Sequence, residues 1–328
     1  MDISGKRFLV IGGAGLIGSH TVDNLLKYDV AEIRIYDNFC RGTHSNISSA
    51  LKDPRVNIFP FGGDILHRDI LNKAMEGIDG VFHFAAMWLL HCNDFPRTAF
   101  DVNVSGTFNV IEAMIANGVK KIIFSSSASV YGDAIEEPMT EVHPYNNLNF
   151  YGATKISGEH ICKSLYHTYK KTDKYFDYIG LRYMNVYGPR QDSYGAYIPV
   201  VMKMIDAIEH GEGPTIYGDG SEAYDFIAVE DCARANINAM KADKTDEFYN
   251  VSTGIRTTLK ELAEKLLDLM GRDSEINYQQ KRNHLLVTSR IGSPSKAKLE
   301  INFSPTVNLI DGLKKLCSWK SKTKLGLL

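Results

Sequence analysis

The segment that most restricts this chain is Arg7-Phe-Leu-Val-Ile11, followed at once by Gly12-Gly13-Ala14-Gly15-Leu16-Ile17-Gly18. Its short apolar run, Phe8 to Ile11, reads as a buried strand. Glycines at 12, 15 and 18 permit a tight turn and leave the backbone bare where a helix over Leu16 to Tyr28 begins. The free N–H groups of a helix start favour an anion such as the pyrophosphate of a dinucleotide. A glycine-rich turn alone is a weak sign. Here a strand precedes it, a helix follows, and Asp37 falls 19 residues past Gly18, at the end of a second strand over Ile33 to Asp37. A carboxylate there accepts hydrogen bonds from both adenosine ribose hydroxyls and repels a 2′-phosphate. NAD is therefore expected rather than NADP. Arg41 argues the other way unless it is an exposed loop residue. Asp64 and Ile65 follow a third strand over Val56 to Phe61 and are placed to meet the adenine ring, with helix capping as the other role open to Asp64.

The alternation continues with strands over Gly80 to Phe84 and Lys121 to Phe124, and a helical pattern over Ala99 to Asn117. Strands alternating with helices predict parallel βαβ units: an α/β, doubly wound, Rossmann-type sheet. Residues 1–181 are expected to form it, with 226–250 returning to it. Residues 182–225 and 251–328, where Gly and Pro become denser, are expected to form a smaller C-terminal substrate-binding region. With 44% apolar residues over 328, the chain has enough apolar surface to order itself. No apolar run approaches the roughly 20 residues of a membrane helix, so no membrane partner is expected. Thirty-seven basic against 39 acidic side chains leave a net charge of −2 and no basic face for nucleic acid. Five scattered cysteines without a CxxC pair argue against zinc or a disulfide framework and fit reduced thiols in a cytoplasm. The opening MDISGKRFLVIGG runs straight into a strand, so no secretory leader is expected.

A Tyr-x-x-x-Lys spacing occurs twice, at Tyr151/Lys155 and Tyr166/Lys170. Either pair shares a helix face, and an ammonium beside a tyrosine lowers its pKa toward that of a usable base. The two tyrosines are 15 residues apart, about 22 Å along a helix, so both cannot serve one reacting centre. Tyr151 starts its helix, near the strand that runs into Ser125-Ser126-Ser127, and ligands of parallel sheets gather at the carboxyl ends of strands. Tyr166 reads as a packing or surface residue.

The motifs GGAGLIGSH, YDN, GGDI, HFAA, VNVSGTFNVIEA, SSSASVYG, YGATK, RYMNVYGPRQ, IYGDGSEAYDFI and YNVSTG occur in that order. Together they resemble the extended short-chain dehydrogenase/reductases, and within them the nucleotide-sugar epimerases, over nearly the whole chain. The resemblance implies Ser127 as the catalytic hydroxyl, Tyr151 as the base and Lys155 as its electrostatic partner, bonded also to the nicotinamide ribose. It implies cofactor contacts from Gly12, Gly15, Leu16, Ile17, Gly18, Asp37, Asn38, Asp64, Ile65, Ala85 and Asn103. Asn185 matches the residue that holds the sugar-nucleotide diphosphate, and Tyr217 falls where an aromatic ring packs on the uracil. Tyr197, Ile198 and Arg290 complete the expected substrate contacts. Ser126 lies close enough to assist, or else caps backbone. His83 resembles a strand-end histidine that is usually structural. A homodimer formed through the helix over Ala99 to Asn117 and the Tyr151 helix is implied as well.

The reaction implied is epimerisation at C4 of a UDP-hexose or UDP-N-acetylhexosamine, with NAD retained. Dehydratases of the family resemble Thr-Asp-Glu before Val-Tyr-Gly; here those positions are Ser127, Ala128 and Ser129, and neither of the last two does acid–base work near neutrality. Decarboxylases commonly carry a glutamate where Ser129 stands. Net oxidoreduction of a keto-sugar nucleotide and a non-catalytic NAD sensor are the other readings. Three departures stand out: Tyr224 replaces an arginine that pairs with the diphosphate, the loop Met87 to Cys92 is bulky, and Arg290 occupies the region that limits sugar size.

Overall fold

In the computed structural model, which describes residues 1–192, 198–281 and 287–325, strands and helices alternate through the first half. They are β1 (Arg7–Ile11), α1 (Leu16–Leu25), β2 (Glu32–Tyr36), α2 (His44–Ile47), β3 (Val56–Ile58), α3 (Arg68–Ala74) and β4 (Gly80–His83). Then come α4 (Leu89–Asp94), α5 (Pro96–Phe100), α6 (Gly106–Asn117), β5 (Lys121–Ser127), α7 (Phe150–Tyr169) and β6 (Asp177–Tyr183). Shorter pieces follow: β7 (Asn185–Tyr187), α8 (Val200–Glu209), β8 (Thr215–Tyr217), β9 (Ala223–Tyr224), β10 (Phe226–Ala228), α9 (Val229–Lys241) and β11 (Glu247–Val251). The chain closes with β12 (Thr257–Thr258), α10 (Leu259–Met270), β13 (Asn277–Gln279), β14 (Ser289–Arg290), α11 (Ser295–Ile301) and α12 (Leu309–Lys324).

Seven strands form one parallel sheet in the order β11-β6-β5-β4-β1-β2-β3. The apolar run of β1 explains itself here. Phe8 and Val10 face one core layer, Leu9 and Ile11 the other, and all four are fully buried. A strand covered on both faces has no polar side to alternate with. The strand order reverses between β1 and β4, and in such sheets the crevice outside the carboxyl ends at the reversal receives ligands. The return of α9 and β11 closes the far edge; Asn236 of α9 donates to Thr21 of α1 at 3.1 Å. A third apolar cluster joins α8, α10 and α12 to β8 and β10, forming the smaller C-terminal region beside the sheet.

Several boundaries differ from the sequence reading. The helix expected over Ala99 to Asn117 begins at Pro96 and is interrupted by a π-helical turn, Asp101–Ser105, between α5 and α6. Such widened turns re-aim side chains, here Asn103. The first helix ends at Leu25, short of Tyr28. The third strand stops at Ile58, because Pro60 lacks an N–H with which to extend the ladder. The fifth runs on to Ser127, past Phe124, in register with Tyr183 of β6. Among the described residues no helix is long and apolar enough to cross a membrane, and no group of three or more His, Cys, Asp or Glu is placed to hold a metal ion.

Candidate active site

The glycines of the first turn divide into two kinds. Gly12 has φ +77°, and a Cβ there would stand 2.8 Å from the backbone N of Ala85. A Cβ on Gly18 would stand 2.1 Å from the Gly12 carbonyl oxygen. Both glycines are required by the turn itself. Gly15 is the N-cap of α1, with ordinary φ of −76° and its nearest neighbour 3.3 Å from a built Cβ. Among the described residues no side chain caps that helix start, so the N–H groups at Leu16 and Ile17 stay available to an anion. Asp37 fastens the cradle: its carboxylate accepts from Ala14 N and Phe39 N, both at 2.8 Å. Burial raises its pKa while those bonds oppose the rise. A cavity of about 560 Å³ opens beside it, lined by Asp37, Asn38, Ile58, Phe59, Gly62 and Asp64 among others. The bare helix start, the acid and this cavity fit a dinucleotide.

Three expected cofactor residues behave differently. Ile65 is 2% exposed, and its side chain packs against Gly106 in the core. Asp64 does not cap α3, whose N-cap is His67; it makes a local turn by accepting from Leu66 N at 2.9 Å. Asn103 is buried with its amide engaged. It accepts from Met87 N at 2.7 Å and donates to Met87 O and Thr154 Oγ1, both at 3.0 Å. It ties the loop after β4 to α7. The signal that would have exposed this is Thr154, next to Lys155 on α7.

At the carboxyl end of β5, Ser127 accepts from Ser129 N at 3.1 Å and lies close enough to Tyr151 to act on its pKa. Asn149 caps α7 by accepting from Gly152 N at 2.8 Å, which sets Tyr151 in the first turn facing Ser127. Lys155 donates to Ser125 O at 2.7 Å, and its ammonium lies 5.6 Å from the centre of the Tyr151 ring. The expectation of a lowered tyrosine pKa is not met in this state. Burial pushes Tyr151 up to about 12, against the hydroxyl of Ser127, which acts to lower it. Burial also lowers Lys155 to about 8, against the nearby Cys92 and Glu159. Desolvation outweighs the attraction because both groups share the same enclosed space.

Ser126 caps nothing. Its hydroxyl donates to Glu159 at 2.5 Å, and Glu159 is clasped by Arg182 at 2.7 Å and Tyr145 at 2.7 Å. This buried ion pair, missed from sequence, lies one turn beyond Lys155; an acid on the inward face of α7 was its signal. His83 shares Thr107 at 3.1 Å and is held neutral, its pKa lowered to about 3 by burial first and then Lys155. The decoy Tyr166 packs 5.6 Å, centre to centre, from Tyr178 at the opposite end of the sheet. Lys170, its spacing partner, turns to His167 at 2.7 Å.

On the substrate side, Asn185 opens β7, and its N–H bonds Asp225 O at 2.9 Å. Tyr217 ends β8 in register with Gln279. Ile198 packs into the C-terminal cluster. Tyr197 lies outside the described residues. Arg290 is not a surface residue: it is 9% exposed, in register with Tyr224, and its Nε donates to Gly132 O at 3.1 Å. Arg41 is not simply exposed either. It stacks 3.8 Å over Trp88 and pairs with Asp192 at 3.2 Å, joining three loops around the cleft.

A serine, a tyrosine and a lysine at a strand end beside a dinucleotide cradle define an enzyme class: the short-chain dehydrogenase/reductases in their extended form. A family model described as the NAD dependent epimerase/dehydratase family matches residues 8–252, and the chain belongs to that family. It is 35% identical to a putative UDP-glucose 4-epimerase of Methanocaldococcus jannaschii, over 95% of this chain and 97% of the relative. Among solved structures it resembles a UDP-N-acetylglucosamine 4-epimerase of Methanobrevibacter ruminantium M1 in complex with UDP-N-acetylmuramic acid. The TM-score is 0.90 and the identity 32%, covering 98% of this chain and 99% of that one. It also resembles a UDP-glucose 4-epimerase of Thermotoga maritima with UDP-glucose, at TM-score 0.88 and 31% identity, covering 97% and 99%.

Proposed function

We propose that this protein interconverts the C4 epimers of a nucleotide-activated hexose, a UDP-hexose or UDP-N-acetylhexosamine. The observation that carries the reading is the Ser127–Tyr151–Lys155 group beside the cradle, followed by Ala128 and Ser129 where a dehydratase needs an acid and a base. The names and bound UDP-sugars of the relatives point the same way.

Bound NAD supplies a hydride acceptor and donor, and a positive charge when oxidised. In this reading Tyr151 Oη takes the proton of the 4-hydroxyl while Ser127 Oγ holds the same oxygen. Lys155, still charged at pH 7 with its pKa near 8, stabilises the developing tyrosinate and bonds the nicotinamide ribose. Burial keeps Tyr151 protonated until such charge is present. A 4-keto sugar results, and it must present its other face before reduction. Anchoring through the nucleotide, by Asn185, Tyr197, Ile198 and Tyr217, leaves the hexose free to turn. Gly12, Gly15, Leu16, Ile17 and Gly18 hold the pyrophosphate, Asp37 and Asn38 the adenosine ribose, and Ala85 the rim. Asp64 contributes to the adenine pocket, while Asn103 serves by positioning. We further propose a homodimer acting in the cytoplasm, whose reducing conditions suit five free cysteines.

The test is incubation of the purified protein with UDP-glucose and UDP-N-acetylglucosamine, followed by NMR. The expected result is the 4-epimer with no net NADH. A 6-deoxy-4-keto product, or NADH accumulating with turnover, would replace the epimerase reading with a dehydratase or an oxidoreductase.

A further inference from the structure

The guanidinium of Arg290 is buried, yet only one of its nitrogens has a hydrogen-bond partner among the described residues, the Gly132 carbonyl. No carboxylate among them lies within ion-pairing distance. Asp133, an acid that acts on it electrostatically, is already bonded by Thr288 N, Thr288 Oγ1 and Ser289 N. Burial lowers the pKa of Arg290, as expected of a cation that has lost water without gaining an anion. Buried charges are ordinarily paired, so the missing counter-ion belongs to a ligand. The position says which part of the ligand. Gly132 belongs to the turn just past Ser127, and Arg290 and Tyr151 act on each other electrostatically. Arg290 therefore borders the space that Tyr151 serves, which is that of the hexose.

We infer that Arg290 selects a sugar that carries a carboxylate, gripping it through the planar fork that suits that group. This rests on the epimerase reading for its placement of the hexose. A nucleotide sugar offers a second anion, the diphosphate, and Tyr224, in register with Arg290, leaves a cation wanting there; the bond to Gly132, in the turn just past Ser127, favours the sugar, and UDP alone tests the alternative.

The holoenzyme is given two pairs of substrates. UDP-glucuronic acid and UDP-glucose differ by a carboxylate at C6; UDP-N-acetylmuramic acid and UDP-N-acetylglucosamine differ by a carboxylate-bearing ether at C3. Both kcat/KM for C4 interconversion and calorimetric Kd are measured, with UDP alone as a third ligand. In at least one pair the acid should be preferred by about 30-fold or more, the scale of a buried charge pair. Arg290→Gln should remove most of that preference and Arg290→Lys should keep part of it. Equal handling of acid and neutral sugar by the wild-type protein overturns the inference. So does a loss in Arg290→Gln that is as large for UDP alone, since the cation then serves the diphosphate. If Arg290→Gln fails to fold, the wild-type preference and Arg290→Lys decide. Binding that favours the acid without any epimerisation would sink the proposed reaction and leave this inference standing.

Discussion

Two tyrosine–lysine pairs share one spacing on one helix, and only their place on the fold separates them. Tyr151 meets Ser127 at the carboxyl end of β5, whereas Tyr166 meets Tyr178 at the other end of the sheet. Tyr151→Phe should lower turnover by about 10² to 10⁴, the usual worth of a general base, with little change in ligand affinity by calorimetry. Tyr166→Phe should be nearly silent; wild-type turnover in the first, or its loss in the folded second, reverses the assignment. The spacing was legible in sequence, but the direction of the Tyr151 shift was not. Desolvation depends on what the rest of the chain packs around the group. His83 makes the same point with a sign that can be checked. Its folded pKa of about 3 lies below the ordinary 6.5, so between those values the unfolded chain holds a proton that the folded one does not. Stability should therefore fall as pH falls through that window, by about 1.4 kcal/mol per unit. Urea unfolding of wild type and His83→Gln from pH 7 to 4 should converge at that slope; parallel curves would mean that His83 does not contribute it.

At the scale of elements, the strand–turn–helix unit of β1 and α1 could be read almost whole, because each of its signals is local. The glycines nevertheless differ in a way no motif states. Gly18→Ala places a methyl 2.1 Å from the Gly12 carbonyl and should cost about 1–3 kcal/mol of stability, as overpacking does. Gly15→Ala brings a methyl 3.3 Å from the same carbonyl, a tight contact but not a clash, so stability should fall less than in Gly18→Ala while NAD affinity falls. Chemical denaturation paired with NAD titration separates the two, and equal stability losses would collapse the distinction. The break between α5 and α6 was not legible. Within it Asn103 bonds Met87 of the loop after β4 and Thr154 of α7, while the apolar pattern runs through it undisturbed.

For the molecule as a whole, the helices proposed to pair between two copies present large apolar side chains to solvent. Phe100 is 43% exposed and Phe108 40%. Light scattering at micromolar concentration should give a dimer, and Phe100→Glu with Phe108→Glu should shift it to monomer; a monomeric wild type would contradict the pairing. The sequence alone determined the parallel α/β class and already carried the glycine-rich turn after β1 and the Ser127, Tyr151 and Lys155 group proposed to act in catalysis. These are written in local periodicity, glycine placement and short spacings that need no distant partner. Only the tertiary structure decided that Ile65 turns inward and that Asn103 spends its amide on the protein. It alone seated Glu159 on Arg182 and left Arg290 buried without a carboxylate among the described residues. Burial and hydrogen-bond partners are set by segments that meet only when the chain is folded, and no window along the sequence contains them.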